Sequence, residues 1–223
     1  MGFCIGIIDV MKYCFYRIST DSGFAPNPYY GYCTLAACTP NHMRANLDPG
    51  DVIVGVEADG LIRTRRAEKG DKSIRSRCIV YYMKIFEVLD LDRYFKGPRF
   101  QDKIPDPDSR SYSKRVGDNV YYRVGNKFRA IPGNMHDNPG SFIQDTKGDR
   151  VYISDRNEFY YFGDREVEFP TRFEKYLPKG HGIKYYYSPL PQLDEYVYKT
   201  SRKFGKKGRI GNPISRKDPS NCS

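Results

Sequence analysis

The sequence predicts a mostly β, α+β fold, built as a small β-barrel or a strongly curved antiparallel sheet with short helices and long loops. Aromatic residues, which favour strands, are abundant, because the chain has 20 Tyr and 13 Phe. Residues 78–88, CIVYYMKIFEV, are dense in β-branched and aromatic residues and predict the clearest strand of the protein. Strands and helices do not alternate regularly, which argues against a doubly wound parallel sheet.

The other elements follow from local patterns along the chain. Further strands are expected where apolar and aromatic residues run between turn residues, at 3–18, 32–37, 52–56, 117–123, 151–154 and 158–162. Short helical turns are expected at 41–46, 90–95 and 173–177, and a last strand or helical turn at 194–199. Residues 97–114 contain three prolines and predict a long polar loop on the surface, from which Arg99 and Phe100 could return to a binding site.

Length and composition predict one domain with an extension. The 223 residues are enough to bury a core, and we divide them into a β-rich domain at 1–198 and a basic, flexible tail at 199–223. The hydrophobic fraction is 39%, the mean hydropathy is −0.69, and no apolar run approaches the ~20 residues of a membrane span. The N-terminus lacks the basic region of a secretory signal, so we expect a cytoplasmic protein without a membrane partner.

The six cysteines predict free thiols. They have no CxxC spacing and no regular framework, which argues against both a zinc site and a set of disulfides. One spacing is compatible with a metal, because Cys33, Cys38, His42 and His136 could supply four ligands. Two of these lie in the run CTLAAC, however, which is typical of a buried strand. We therefore predict no metal and no cofactor.

The net charge of +10 is concentrated near the C-terminus. Residues 199–217 hold eight Lys or Arg and no acid, which leaves residues 1–198 at about +3. A flexible cationic segment binds polyphosphate by releasing counterions, although it can also serve only to keep the chain in solution or fold over an acidic partner. A second basic cluster at 63–77 predicts an exposed hairpin or loop. The cations expected on a nucleic-acid backbone are Arg63, Arg65, Arg66, Lys203, Lys206, Lys207 and Arg209.

The ligand-binding prediction centres on residues 21–40, DSGFAPNPYYGYCTLAACTP. Its first two prolines fix their own φ and push the preceding residues towards extended conformations, which makes APNP a stiff, open turn. Asn27 then offers an amide beside the rings of Phe24, Tyr29 and Tyr30. An amide next to stacking rings suits a planar nucleobase. The alternative is a corner that plugs the end of a barrel, with Asn27 bonded to the backbone.

Acid–base residues are predicted in polar loops. Asp118 lies at the start of GDNVYYR, which begins as a turn and becomes a strand; an ordinary turn with side-chain-to-backbone bonds is the alternative. His136 lies in a loop rich in Gly, Asn and Pro, where a histidine can do acid–base work, although a lone histidine is more often merely exposed. Asp21 is a third choice. Further ligand contacts are expected from Cys38, Asn119, Tyr121 and Arg123.

Five blocks follow one another between residues 19 and 163: GFAPNPYYGYCTLAACTP, GDVIVG, YYMKIFEVLDLDRYFKGPRF, GDNVYYR and FYYFG. Together, and in this order, they resemble the second type of nucleotide modification associated domain. The resemblance implies an association with hypermodified DNA bases, bacteriophage genomes and the systems that make or counter them, and it supplies no reaction. By motif match it points to Asn27, Cys38, Asp118, Asn119 and Arg123, while both basic segments lie outside the matched blocks.

A second resemblance concerns the form of the barrel. PGDVIVGV followed by CIVYYMKIFEVL is similar to PUA-like small barrels, among them the ASCH, EVE and YTH domains. It implies a PUA-like barrel and binding of nucleic acid or modified bases.

Three functional hypotheses remain open at this point. The protein reads a modified nucleotide, base or nucleic acid in a pocket under the APNP loop, or it is an enzyme acting on such a base with Asp118 or His136 as acid–base residue. Cys38 is a weaker nucleophile, because no neighbour in the sequence lowers its pKa. The third hypothesis is a structural subunit of a defence or modification complex. Walker, HExxH, GxSxG and dinucleotide-binding motifs do not occur, which disfavours nucleotide hydrolysis and redox chemistry.

Overall fold

The computed structural model describes residues 11–38, 45–180 and 182–215, which form three sheets, five α-helices and three 3-10 helices. The strands are β1 (Tyr13–Ile18), β2 (Tyr32–Leu35), β3 (Val52–Glu57), β4 (Ile79–Lys84), β5 (Glu87–Leu89), β6 (Tyr121–Val124), β7 (Lys127–Ala130), β8 (Val151–Asp155), β9 (Phe159–Tyr161), β10 (Ile183–Tyr186) and β11 (Gly208–Arg209). The helices are α1 (Asp59–Lys69), α2 (Leu91–Lys96), α3 (Tyr112–Arg115), α4 (Pro139–Thr146) and α5 (Pro191–Ser201), and the 3-10 helices are η1 (Pro98–Lys103), η2 (Thr171–Tyr176) and η3 (Arg202–Phe204).

A six-stranded sheet in the order β10-β1-β3-β4-β9-β11 forms the centre of the molecule. β1 runs parallel to β3 and β9 runs parallel to β11, while the other neighbours are antiparallel. Both faces of the sheet are covered, because alternate residues of each strand enter two different hydrophobic clusters. Phe15 and Val54 pack with side chains from α5 and η2, whereas Tyr16 and Ile53 pack towards the strands β2 and β8. This double burial explains why β3 is apolar almost throughout and does not alternate.

One bent ribbon joins this sheet to the three-stranded sheet β2-β8-β5. β4 pairs with β9 and β5 pairs with β8, so both partners cross from one sheet to the other together. The prediction of one strand over 78–88 was therefore wrong in detail, because the chain bends at 85–86 between two strands. The α+β class is confirmed. The described strands do not close into a barrel, so the PUA-like barrel stays a prediction.

Most other strands lie where the sequence places them. β2, β3, β6, β8 and β9 overlap the predicted segments, and β1 is the described part of the predicted strand region 3–18. α2 confirms the predicted helical turn, and its N-terminus is capped by Asp90, whose side chain accepts from the N–H of Arg93 at 2.8 Å. The predicted turn at 41–46 falls largely outside the described residues.

The second basic cluster begins in a helix, which corrects the expectation of a hairpin. Leu61, Ile62 and Arg65 are buried and are spaced as one face of α1. Gly70, which suggested a turn between strands, ends the helix in the left-handed conformation with φ of 64°. Charged residues occupy most of the other positions of α1, so a search for the alternating pattern of a strand does not detect this helical spacing.

The loop at 97–114 is not wholly a surface loop. It contains η1 and α3, and two of its side chains, Phe100 and Lys103, are 0% exposed. Phe100 packs at 4.8 Å from the ring of Tyr94, so it lies in the interior and not at the binding site to which the sequence analysis allowed it to return.

The segment assigned to a flexible tail is folded through residue 215, so the domain boundary after 198 is corrected. That boundary falls inside α5, and η3 and β11 follow. β11 pairs with β9, and Ile210 enters the core at 7% exposure. Beyond it, the N–H of Ile214 donates to the carboxylate of Asp21 at 3.0 Å. Ile210 and these backbone hydrogen bonds hold the segment against the core. Its positive charge alone had predicted a tail exposed to solvent.

Candidate functional site

The corner predicted to hold a ligand is a small hairpin. The backbones of Asn27 and Thr34 exchange two hydrogen bonds of 2.9 and 3.0 Å, and the Ala25–Pro26 peptide bond is cis. The N–H of Tyr32 donates to the carbonyl of Tyr29, and the two residues between them, Tyr30 and Gly31, have φ of 57° and 82°. Such a two-residue turn matches the twist of paired strands. It places the Tyr30 ring at the tip, 37% exposed.

The amide of Asn27 faces inward and is fully engaged, which contradicts its predicted role in reading a base. Its Nδ2 donates to the carbonyl of Val116 at 2.9 Å, and its Oδ1 accepts from Lys103 Nζ at 2.6 Å. The N–H of Tyr29 adds a bond of 3.3 Å to Oδ1. Because Asn27 is 0% exposed, the plugged corner considered above is the arrangement found.

Two buried charged residues, Lys103 and Asp118, complete the interior of this corner. Lys103 is 0% exposed and donates to the carbonyls of Asn27 at 3.0 Å and Tyr32 at 3.3 Å. Asp118, also 0% exposed, accepts from the hydroxyls of Thr34 at 2.7 Å and Tyr94 at 2.8 Å. Burial lowers the pKa of Lys103 to about 8 and raises the pKa of Asp118, which the Lys103 charge opposes.

Asn119 and Asp21 are likewise interior groups. Asn119 donates to the carbonyl of Phe100 at 3.1 Å, and its Oδ1 is buried without a partner in the described part of the chain. Asp21 is 0% exposed and accepts from the Tyr161 hydroxyl at 2.5 Å. Burial raises the pKa of Asp21 to about 6. A substrate has no direct path to the carboxylates of Asp21 and Asp118 in this arrangement, so both are corrected as acid–base residues.

His136 is 8% exposed and is bonded to a buried carboxylate. Its Nδ1 lies 2.7 Å from Asp145 Oδ2, which also accepts from the Tyr121 hydroxyl at 2.8 Å. The other carboxylate oxygen accepts from the N–H of Cys38 at 3.0 Å. The Phe24 ring lies 4.9 Å from the imidazole. A buried carboxylate on Nδ1 orients a histidine for proton transfer through its other nitrogen.

Arg123, predicted as a ligand contact, pairs with a carboxylate of the chain itself. Its guanidinium lies 2.7 Å from Asp149 and 4.0 Å from the centre of the Phe128 ring. Both partners hold it on the β6–β7 hairpin.

An open groove runs along the outer side of the corner. Its cavity of about 390 Å³ lies between the hairpin tip, the turn joining β8 to β9, and β11; its lining residues are Pro28, Tyr29, Tyr30, Gly31, Ser113, Arg156, Phe159, Lys207, Gly208 and Arg209. We call this cavity the outer groove. The Arg209 guanidinium lies over the Tyr29 ring, 5.0 Å from its centre, and Lys114 Nζ lies 5.9 Å from the centre of the Tyr30 ring. Three of the lining residues, Arg156, Lys207 and Arg209, are cations, and none is acidic.

Of the other Lys and Arg residues predicted to contact a nucleic-acid backbone, some are exposed and others are buried or half-buried. Arg65 is 8% exposed and makes a two-pronged bond to Glu57, at 3.1 and 2.7 Å, so its predicted contact with nucleic acid is corrected. Arg66 donates to the carbonyl of Ile74 at 2.6 Å. Arg63, Lys203 and Lys206 are exposed.

None of the helices in the described ranges is long and apolar enough to cross a membrane. Within those ranges no three His, Cys, Asp or Glu side chains are grouped as a metal requires, and His42 of the predicted set lies outside them.

The sequence signals for three site residues were weak or absent. Lys103 stands in a polar loop, Asp145 in an ordinary helical segment, and Arg156 in a turn. Each reaches its partners only through the fold. Arg156 follows β8 directly, so a search for cations at strand ends would have found it.

Fold and groove together define an α+β protein with a basic, aromatic surface groove beside a plugged corner. The chain belongs to the nucleotide modification associated domain 2 family, which matches residues 10–218. The resemblance seen in the sequence is thereby confirmed, and the match is longer than the blocks that suggested it, since it also includes both basic segments. The chain matches no curated protein and no solved structure.

Proposed function

We propose that this protein binds a nucleotide unit, modified or within a nucleic acid, in the outer groove. The observation that carries the proposal is the meeting of an exposed tyrosine with three cations and no carboxylate. The Tyr30 ring offers a stacking face, and Arg156, Lys207 and Arg209 offer phosphate contacts. Stacking on an aromatic side chain tolerates any base and contributes about 1–3 kcal/mol.

The binding site therefore lies outside the corner that the sequence analysis placed it under. The plugged interior has a supporting role: Lys103 and Asp118 fix the hairpin whose tip presents Tyr30. A volume of about 390 Å³ is within the range of small-ligand sites. The family description supports a nucleotide-modification setting, and we extend it to DNA modification or phage–bacterium conflict, with action in the cytoplasm and partners among proteins of such a system.

A fluorescein-labelled, single-stranded oligonucleotide titrated by anisotropy tests the groove. Tyr30→Ala should weaken binding about tenfold or more, by the loss of one stacking contact. Tyr198→Ala removes another exposed tyrosine, on α5 and outside the groove lining, and should leave the affinity unchanged. Equal affinities for both variants would contradict the proposal.

The phosphate contacts are tested through the salt dependence of the same titration. Arg156→Gln combined with Lys207→Gln should reduce the slope of log affinity against log salt by about 1.4, since each single-strand phosphate contact contributes about 0.7. Arg129→Gln with Lys147→Gln is the matched control, because both cations are exposed and lie outside the groove lining. An equal fall of slope in the control would show that overall charge is responsible.

A second candidate function is an enzyme acting on a base or nucleotide, with His136 as acid–base residue. The bond between His136 and buried Asp145 favours it, since such pairs orient catalytic histidines. Incubation with modified phage DNA and nucleotide pools, followed by mass spectrometry, separates the functions: a reader returns its ligand unchanged, and an enzyme alters it. His136→Ala should then abolish turnover while oligonucleotide binding persists. If neither binding nor turnover is found, a structural subunit of such a complex remains.

A further inference from the structure

A second cationic cavity lies at the carboxyl ends of two parallel strands. β1 ends at Ile18 and β3 at Glu57, and α1 begins two residues after β3. The N–H of Ala58, just before the helix, donates to the carbonyl of Ile18 at 2.8 Å and ties the two strand ends together. The cavity has a volume of about 340 Å³, and its lining residues are Arg17, Ser19, Ala58, Asp59, Gly60, Arg63, Lys179 and Gly180. None of them lines the outer groove.

The three cations of this cavity are unpaired. In the described part of the chain, Arg17, Arg63 and Lys179 have no ion pair and donate no side-chain hydrogen bond, and none has an interaction with the residues outside it. Arg17 Nε is in addition buried without a partner, an arrangement that costs free energy unless an acceptor fills it. These positions contrast with Arg65 and Arg77, neighbours in the fold that are both bonded to acceptors.

The single carboxylate of the lining is already occupied. Asp59 lies 2.5 Å from the Arg77 guanidinium, and that bond lowers the pKa of Asp59. Its single charge also attracts Arg17 and Arg63, but it cannot balance all four cations near it, so the cavity keeps an excess of positive charge. The first turn of α1 adds N–H groups to the same region, since no side chain caps this helix.

We propose that this cavity is an anion site that takes a phosphate group. Three cations around one cavity match the charge and the several acceptor oxygens of phosphate. The phosphate can belong to a nucleic-acid backbone or to a small phosphate compound; the chemistry of the site is the same for both. This site is independent of the outer groove and of the function proposed for it.

Inorganic pyrophosphate, titrated by calorimetry at low salt, tests the site. The wild type should bind it, and Arg63→Gln with Lys179→Gln should weaken binding at least about tenfold, because two charge-assisted contacts are lost. Both residues are exposed, so the fold should survive, as a thermal melt would check. The control pair Arg129→Gln with Lys147→Gln and the groove variant Tyr30→Ala should bind pyrophosphate like the wild type.

A variant that should gain affinity excludes misfolding as the cause. Asp59→Asn removes the one negative charge of the lining and keeps an acceptor for Arg77, so it should bind pyrophosphate several-fold more tightly. The oligonucleotide distinguishes the two sources: a smaller salt slope in the Arg63 and Lys179 variant identifies a nucleic-acid phosphate, and an unchanged slope identifies a small phosphate compound. No binding of pyrophosphate by the wild type, or an equal loss in the control pair, would overturn the proposal.

Discussion

The buried charges of Lys103 and Asp118 offer a sharp test of the plugged corner. In Lys103→Met the chain keeps a side chain of similar length and loses the ammonium that bonds Asn27 and Tyr32. Asp118 then remains at 0% exposure without its cation. The variant loses three buried hydrogen bonds and the charge that favours ionised Asp118, so we expect the free energy of unfolding to fall by about 3 kcal/mol or more.

The double variant Lys103→Met with Asp118→Asn identifies the cause. The double variant leaves no carboxylate charge at position 118 to be buried without a nearby cation, so it should recover at least half of the stability lost by the single one. Urea denaturation followed by circular dichroism measures both. Equal stabilities for the single and double variants would refute the reasoning, because they would show that the stranded carboxylate is not the source of the loss.

The pH dependence of stability gives an independent reading of the same lysine. Burial lowers the Lys103 pKa from 10.5 to about 8, so the unfolded chain binds the proton more tightly than the folded one. The stability that this group contributes is therefore present above pH 10.5 and is lost as the pH falls through 8. Between pH 7.5 and 9.5, the wild type should gain about 2 kcal/mol relative to Lys103→Met, and a constant difference would contradict the assignment.

Two further predictions concern the C-terminal segment and Asp21, to which it is bonded. Burial raises the pKa of Asp21 from 3.8 to about 6, so the stability that this group contributes is present below pH 3.8 and is lost as the pH rises through 6. Urea denaturation should show the wild type losing about 2 kcal/mol relative to Asp21→Asn between pH 4 and 7. An identical pH dependence would count against the buried carboxylate. Truncation after Tyr198 removes β11, so we expect a melting temperature lower by several degrees, whereas an unchanged value would show that β11 contributes nothing to the core.

Local sequence patterns predicted those features of the fold that depend on residues close together in the chain. The strand positions of β2, β3 and β8 followed from runs of β-branched and aromatic residues, because side-chain packing on a sheet selects these types. The turn was predicted at APNP, whereas the two-residue turn of the structure lies at Tyr30 and Gly31. The bent ribbon was missed because strands buried on both faces do not alternate between apolar and polar residues. The helix α1 was missed because most of its residues are charged or polar.

The candidate site could be predicted only in part, for a reason seen in Asn27. Its amide was expected to face a ligand, and Lys103, 76 residues away, occupies it. A lysine in a polar loop carries no local sign of burial. Tyr30 and Arg209 of the outer groove were each named in the sequence analysis, but no pattern in the sequence indicated that they lie together. That reason is the pairing of β11 with β9, a contact between segments about 50 residues apart.

The measurement that bears most directly on the proposed function is photo-crosslinking of a single-stranded oligonucleotide containing 4-thiothymidine, with the crosslinked peptides identified by mass spectrometry. Binding in the outer groove predicts crosslinks at Tyr30 and in the segment around Lys207, lost in Tyr30→Ala and retained in Tyr198→Ala. Crosslinks confined to other surfaces, or equally strong in both variants, would contradict the account.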